Sequence, residues 1–217
     1  MTAWIDSLLL LLVLTSLTLL GSSRLEAYVR LVAIQGVIVS VLMLVVHNGP
    51  PTPRILALAG ASVLLKAWMF PALLKRAIDR AGVRREVQPY VGYNTSIVCG
   101  LVMLSFALWL GSHLPLPNPI LSTLLLPASL FTILSGLFII VSRRTALTEV
   151  LGYLVMENGI YVFGSAIVQE TPFIVEVGVL MDVFVAVFVM GIVVFHISKE
   201  FDDIDTEHLV SLQDWKP

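Results

Sequence analysis

The feature that most constrains this chain is a succession of long apolar runs divided by short, turn-forming breaks. Seven stretches, at about 3–20, 25–46, 55–74, 90–111, 119–141, 145–168 and 172–197, are close to the roughly 20 residues that a helix needs to cross a bilayer. The breaks carry turn chemistry. His47 to Arg54 reads HNGPPTPR and Leu114 to Pro119 reads LPLPNP, while Thr171–Pro172 reads as an N-cap and first-turn proline. The expected fold is therefore all-α, a polytopic membrane protein with seven transmembrane helices. A single helical domain over 1–198 is followed by a tail over 199–217. The first run lacks a basic flank and a small-residue cleavage site, so it reads as a span and not as a signal peptide.

Composition points the same way. Of 217 residues, 58% are hydrophobic and 13% charged, against about 25% charged in an average soluble domain. That is too little polar surface for a water-soluble fold, and it excludes disorder, collagen and nucleic-acid binding. Cys99 is the single cysteine, so no internal disulfide or cysteine cluster is available; it reads as a small apolar filler.

The basic residues give an orientation. Arg24 and Arg30 lie at the first connection, Lys75, Arg76, Arg80, Arg84 and Arg85 at the third, Arg143 and Arg144 at the fifth, and Lys199 and Lys216 in the tail. These are 11 of the 13 Lys and Arg residues, all on alternate connections. The positive-inside rule then puts the N-terminus outside and the C-terminus in the cytoplasm of a cell that holds the chain in its cytoplasmic membrane. The tail has six acids and two lysines. It reads as a solvated end or, more sharply, as a dock for a peripheral subunit.

Phosphate-loop, dinucleotide, HExxH and CxxC patterns are absent. Any chemistry sits in polar groups inside the spans, where each is costly and is a functional candidate by default. In the sixth run Glu149, Tyr153, Glu157, Tyr161, Ser165 and Gln169 recur every four residues, a slowly winding polar stripe. Glu157 falls near mid-depth. The seventh run carries Glu176 toward its outer end, Asp182 at mid-depth and His196 at its cytoplasmic end. The third carries Lys66 near mid-depth with Pro71 five residues on, so the helix should kink or open beside the lysine. Tyr and Ser serve equally well as helix-to-helix bonding groups, His196 as an interfacial histidine, and a lysine nearer the surface would snorkel. Lys66, Glu157 and Asp182 differ because they share a depth. Burial disfavours the charged form of either partner and an opposite charge restores it, which is the requirement of a proton relay. A coarse parallel repeat is also visible: Gln35 matches Glu157 in position, and Lys66 matches Asp182.

Three segments carry a resemblance: SRRTALTEVLGYLVMENG (Ser142 to Gly159), VEVGVLMDVFVAVFVM (Val175 to Met190) and SVLLKAWMFP (Ser62 to Pro71). Here the chain resembles the hydrogenase-4 component E family, membrane subunits of formate hydrogenlyase-type complexes. Its C-terminal helices, 145–198, are similar to the K subunit of respiratory complex I and to the C subunit of multisubunit cation/proton antiporters. The resemblance implies that Asp182 stands where the K subunit has its third-helix glutamate. Aligning the preceding glycine with Gly152 puts the other glutamate at Leu154, one turn before Glu157, a departure from the pattern. It further implies a chain with no cofactor of its own. Its partners would be an antiporter-like membrane subunit, a membrane anchor subunit and peripheral hydrogenase subunits holding nickel–iron and iron–sulfur centres.

The expected function is that of a non-redox subunit contributing to proton translocation in such a complex. The proton-pathway candidates are Lys66, Glu149, Tyr153, Glu157, Tyr161, Glu176, Asp182 and His196, with Pro71 as the helix break. A stand-alone proton- or cation-coupled transporter and a purely structural spacer are the alternatives.

Overall fold

The computed structural model describes residues 2–46, 53–81, 89–114 and 122–167, together with Leu180, Met181, Val183, Phe184, Val187 and Gly191. Its elements are α1 (Thr2–Gly21), α2 (Leu25–Val46), α3 (Pro53–Leu64), a π-helical turn (Leu65–Met69), α4 (Phe70–Ala81), α5 (Tyr93–His113), α6 (Leu125–Ser142) and α7 (Ala146–Ile167). Among the described residues there is no strand. Among the described residues four helices are long and apolar enough to cross a membrane, over Ala3–Gly21, Leu25–Val46, Tyr93–His113 and Leu125–Ser142. Most of the expected seventh span and the tail lie outside the described residues.

Local chemistry sets several of the ends. Extended Gly92 (ψ 153°) precedes α5, which starts at Tyr93 and not at residue 90. A turn holds residues 123–124, and the Leu124 N–H donates to Ser122 Oγ (3.1 Å), so α6 starts at Leu125, well inside the expected 119–141. Thr145 opens α7. Its Oγ1 accepts from the Thr148 N–H (3.4 Å) and its carbonyl accepts from the Glu149 N–H (3.1 Å). Glu149 then stands in the first turn, where a carboxylate suits the helix dipole.

The expected third span is one rod broken in its middle. The Phe70 N–H donates to the Leu65 carbonyl, a five-residue step instead of four. Pro71 explains it: in an α register its ring would collide with the Ala67 carbonyl and it has no hydrogen to donate. Widening the preceding turn relieves the collision.

Polarity is inverted relative to a soluble protein. Apolar side chains such as Leu14, Trp68, Val98, Val102 and Trp109 are more than half exposed, while Gln35, Lys66, Ser129, Thr132, Ser135, Glu157 and Asn158 are buried. This is the surface of a membrane protein, since water would not tolerate so much exposed hydrocarbon. Several hydroxyls bond carbonyls one turn back on their own helices, as Ser16 to Leu12 (2.9 Å), Ser40 to Gly36 (2.9 Å) and Thr132 to Ala128 (2.7 Å) do. That arrangement satisfies them without water.

The closest packing joins α6 to α7. A Cβ added at Gly136 would lie 2.3 Å from the Met156 amide nitrogen and 2.6 Å from the Gly152 carbonyl oxygen. Only glycine lets the two backbones approach this far, a usual device between membrane helices. The α1 helix rests on α2, α5 and α6, and α2 lies between α1, α7 and the broken rod.

Candidate functional site

The π turn directs Lys66 inward, toward α7. Its ammonium donates to Asn158 Oδ1 at 3.0 Å, lies 3.9 Å from Glu157 Oε1 and sits 5.4 Å from the centre of the Tyr161 ring. All four residues are at least nine-tenths buried. The lysine is therefore held by three kinds of group at once: a neutral amide acceptor, a carboxyl and an aromatic face within cation–π range. On its other flank α2 comes very near. A Cβ on Gly36 would fall 2.6 Å from Lys66 Cβ, so only glycine leaves room for the lysine stem.

Distances define what the group can do. The lysine–carboxyl separation exceeds the roughly 2.6–3.2 Å at which a proton passes directly. A shift of about 1 Å, or one bridging water, would close it. Meanwhile the hydrogen bond to Asn158 Oδ1 gives the ammonium a neutral acceptor. A charge this deep and without partners would cost several kcal/mol, and burial makes the pair mutually dependent, because removing one leaves the other exposed to that cost.

A second buried polar group joins α1 to α2. Gln35 Nε2 donates to Thr15 Oγ1 (3.1 Å) and Ser16 Oγ (2.9 Å). A third ties the chain near one end of the bundle. Arg143, 1% exposed, donates from its two terminal nitrogens to the carbonyls of Val91 (3.2 Å) and Leu20 (2.9 Å), and stacks over the Tyr93 ring at 4.6 Å. The Leu20 carbonyl is in the last turn of α1, so the guanidinium caps that helix where its dipole is negative. Its neighbour Arg144 is exposed and lies over Tyr90 at 4.8 Å.

Of the residues proposed from sequence, the structure brings together Lys66, Glu157 and Tyr161, with Pro71 one turn beyond on the same broken rod. Tyr153 is half-buried and Glu149 is exposed at the start of α7. Ser165 bonds its own helix, at the Val162 carbonyl (2.6 Å). Only the central part of the four-residue stripe thus faces the lysine. Glu176, Asp182 and His196 lie outside the described residues. Sequence reasoning missed Asn158, although it stands next to Glu157 in an apolar run; its mid-span amide was the available signal. It also missed the burial of Arg143, which beside Arg144 reads as one more interfacial arginine. Among the described residues no three His, Cys, Asp or Glu side chains gather to hold a metal ion.

Known proteins give a partial context. The chain is 31% identical over 208 residues to the uncharacterized protein Rv0085 of Mycobacterium tuberculosis, a match covering 94% of this chain and 93% of that one. It is 34% identical over 80 residues to hydrogenase-4 component E of Escherichia coli and of Shigella flexneri, 37% of this chain and 37% of each of those proteins. No protein-family model matches, and no solved structure shows significant similarity.

Proposed function

Since this chain belongs to the family of the mycobacterial protein Rv0085, and is itself similar to hydrogenase-4 component E over part of its length, we propose that it is a non-redox membrane subunit of a hydrogenase-type, energy-converting complex. Its part is to carry or couple protons through the bilayer. The observation that carries this reading is the Lys66–Glu157 pair, 3.9 Å apart, buried, and joined by Asn158. An amide pair would bond helix to helix without buried charge; a lysine and a carboxyl add the ability to exchange a proton when either moves. Tyr161 shields one side. Asp182, Glu176 and His196 extend the pathway on the seventh span, and Glu149 and Tyr153 extend it along α7. The chain crosses the cytoplasmic membrane seven times, with its N-terminus outside. The redox centres belong to partner subunits, with an antiporter-like subunit and an anchor beside it in the membrane.

The test is a pair of substitutions in the intact complex. Glu157→Gln and Lys66→Met leave assembly intact and abolish most of the proton movement coupled to turnover, read as acidification in vesicles against the redox rate. Full coupling in both variants overturns the reading. The rod broken beside a buried charge also suits a stand-alone transporter. Isolation of the native protein alone, moving a solute in liposomes, favours that second reading. Co-isolation with metal-containing subunits favours the first.

A further inference from the structure

The lipid-facing surface of the bundle is recessed between α2 and the first half of the broken rod. A groove of about 530 Å3 lies there, lined by Leu44, Leu56, Gly60, Leu64, Ala67 and Trp68 among others. Small residues keep it open: no atom lies within 4 Å of a Cβ placed on Gly60. The bare face of α5 is different, since Val98, Leu101, Val102, Phe106 and Trp109 stand out from it as large side chains.

Both walls of the groove lead to a cation at the basic end. On α2, Val37, Val41 and Leu44 lie within about 40° of Arg30 around the helix, and all four are exposed. On the rod, Val63, Ala67, Pro71 and Lys75 follow at four-residue steps, each standing over the next. The two helices pass each other antiparallel. Gly36 meets the Lys66 stem, and Val29, Val32 and Ala33 share a cavity wall with Phe70, Pro71 and Leu74. Arg30 and Lys75 therefore stand at similar depth, on the flank where the groove opens. Each cation is followed by an acid one turn nearer the basic end. Glu26 lies 3.8 Å from Arg30 on α2, and Asp79 is four residues past Lys75 on α4. The flank thus carries two layers of charge, positive beside the hydrocarbon and negative about 6 Å farther out.

We propose that this groove holds one aminophospholipid of the basic-end leaflet. Its acyl chain lies between α2 and the rod, its phosphate meets Arg30 and Lys75, and its terminal amine meets Glu26 and Asp79. The lengths agree. Arg30 to Leu44 is 14 residues, about 21 Å, enough to line the roughly 15 Å of hydrocarbon in one leaflet. A guanidinium and an ammonium both make charge-assisted bonds to phosphate oxygens. Two bare cations would favour an anionic headgroup; the acids beyond them make a headgroup ending in an amine the better match. The site is separate from the Lys66 centre and does not depend on the proton-carrying role.

The experiment uses the full chain, purified in mild detergent and washed free of lipid. It is supplied with equal amounts of phosphatidylethanolamine and phosphatidylglycerol and weighed intact by native mass spectrometry. One phosphatidylethanolamine per chain is expected, retained roughly tenfold over phosphatidylglycerol. Arg30→Gln with Lys75→Gln lowers that retention about tenfold. Gly60→Phe lowers it from the other end of the groove, filling open space without touching the bundle. Glu26→Gln with Asp79→Asn removes the preference for phosphatidylethanolamine. Arg76→Gln, on another side of α4, leaves retention unchanged. All six positions are exposed, so the variants keep the packed core. No retained lipid in the parent, equal retention of the two lipids, or the same loss in Arg76→Gln overturns the proposal. So does displacement of the lipid by inorganic phosphate at the same concentration, or a second copy of the chain found in its place.

Discussion

Asn158, and not the carboxyl beside it, takes the hydrogen bond of Lys66. An amide cannot accept the proton, so it holds the ammonium in place without neutralising it, and Glu157 remains the group to which the proton can go. The two roles predict different losses. Asn158→Leu takes away a bond to a charged donor, and about 1.5–3 kcal/mol of stability with it. Most of that loss disappears in a Lys66→Met background, as a thermal-unfolding double-mutant cycle in detergent would show. A coupling energy near zero would mean that the 3.0 Å contact carries no weight. Arg143 makes the complementary case. Its two carbonyl bonds and its place on Tyr93 need a planar fork, so Arg143→Lys is expected to destabilise nearly as much as Arg143→Ala. Recovery of wild-type melting by lysine would refute that geometry.

Among the elements, the broken rod is the one in which sequence speaks most directly. Proline in an apolar run forbids a regular ladder, so an opening near Lys66 was legible from SVLLKAWMFP alone. The form it took, one wide turn from Leu65 to Met69 that packs on α2, was not. Pro71→Ala restores the missing donor and lets the α register run through, turning one half of the rod against the other by up to about 100°. The expected outcome is a protein at least as stable as the parent whose Lys66 no longer meets Asn158, with coupled proton movement reduced. Unchanged coupling would show that the wide turn is incidental. The α6–α7 pair predicts the opposite balance. Gly136→Val drives a side chain into the Met156 backbone and is expected to cost about 1–3 kcal/mol of overpacking, seen as a lower melting temperature before any change in coupling. What sequence left illegible was rotation. Asn158 and Glu157 differ by 100° around α7, and no feature of one helix says which of two neighbours faces the next.

At the scale of the molecule, hydropathy made the all-helical membrane class plain, because runs of such length cannot be hidden in a water-soluble fold of this size. Helix partners were not legible in the same way. Serine and threonine look alike whether they bond their own carbonyls, as Ser16 does, or receive another helix's amide, as Ser16 also does from Gln35. Depth was readable and neighbourhood was not. The proposed orientation gives a further test: reporters active only outside the cell should work when fused ahead of Thr2, and reporters active only in the cytoplasm when fused after Pro217. The reverse pattern would overturn the proposed orientation.

The arginine clasp has a consequence for how such a chain is made. Leu20, Val91 and Tyr93 are all synthesised before Arg143, so the guanidinium ties together parts that already lie in the membrane, where α1 and α5 also pack directly on each other. The clasp over the first half of the protein is therefore closed by a residue from the second.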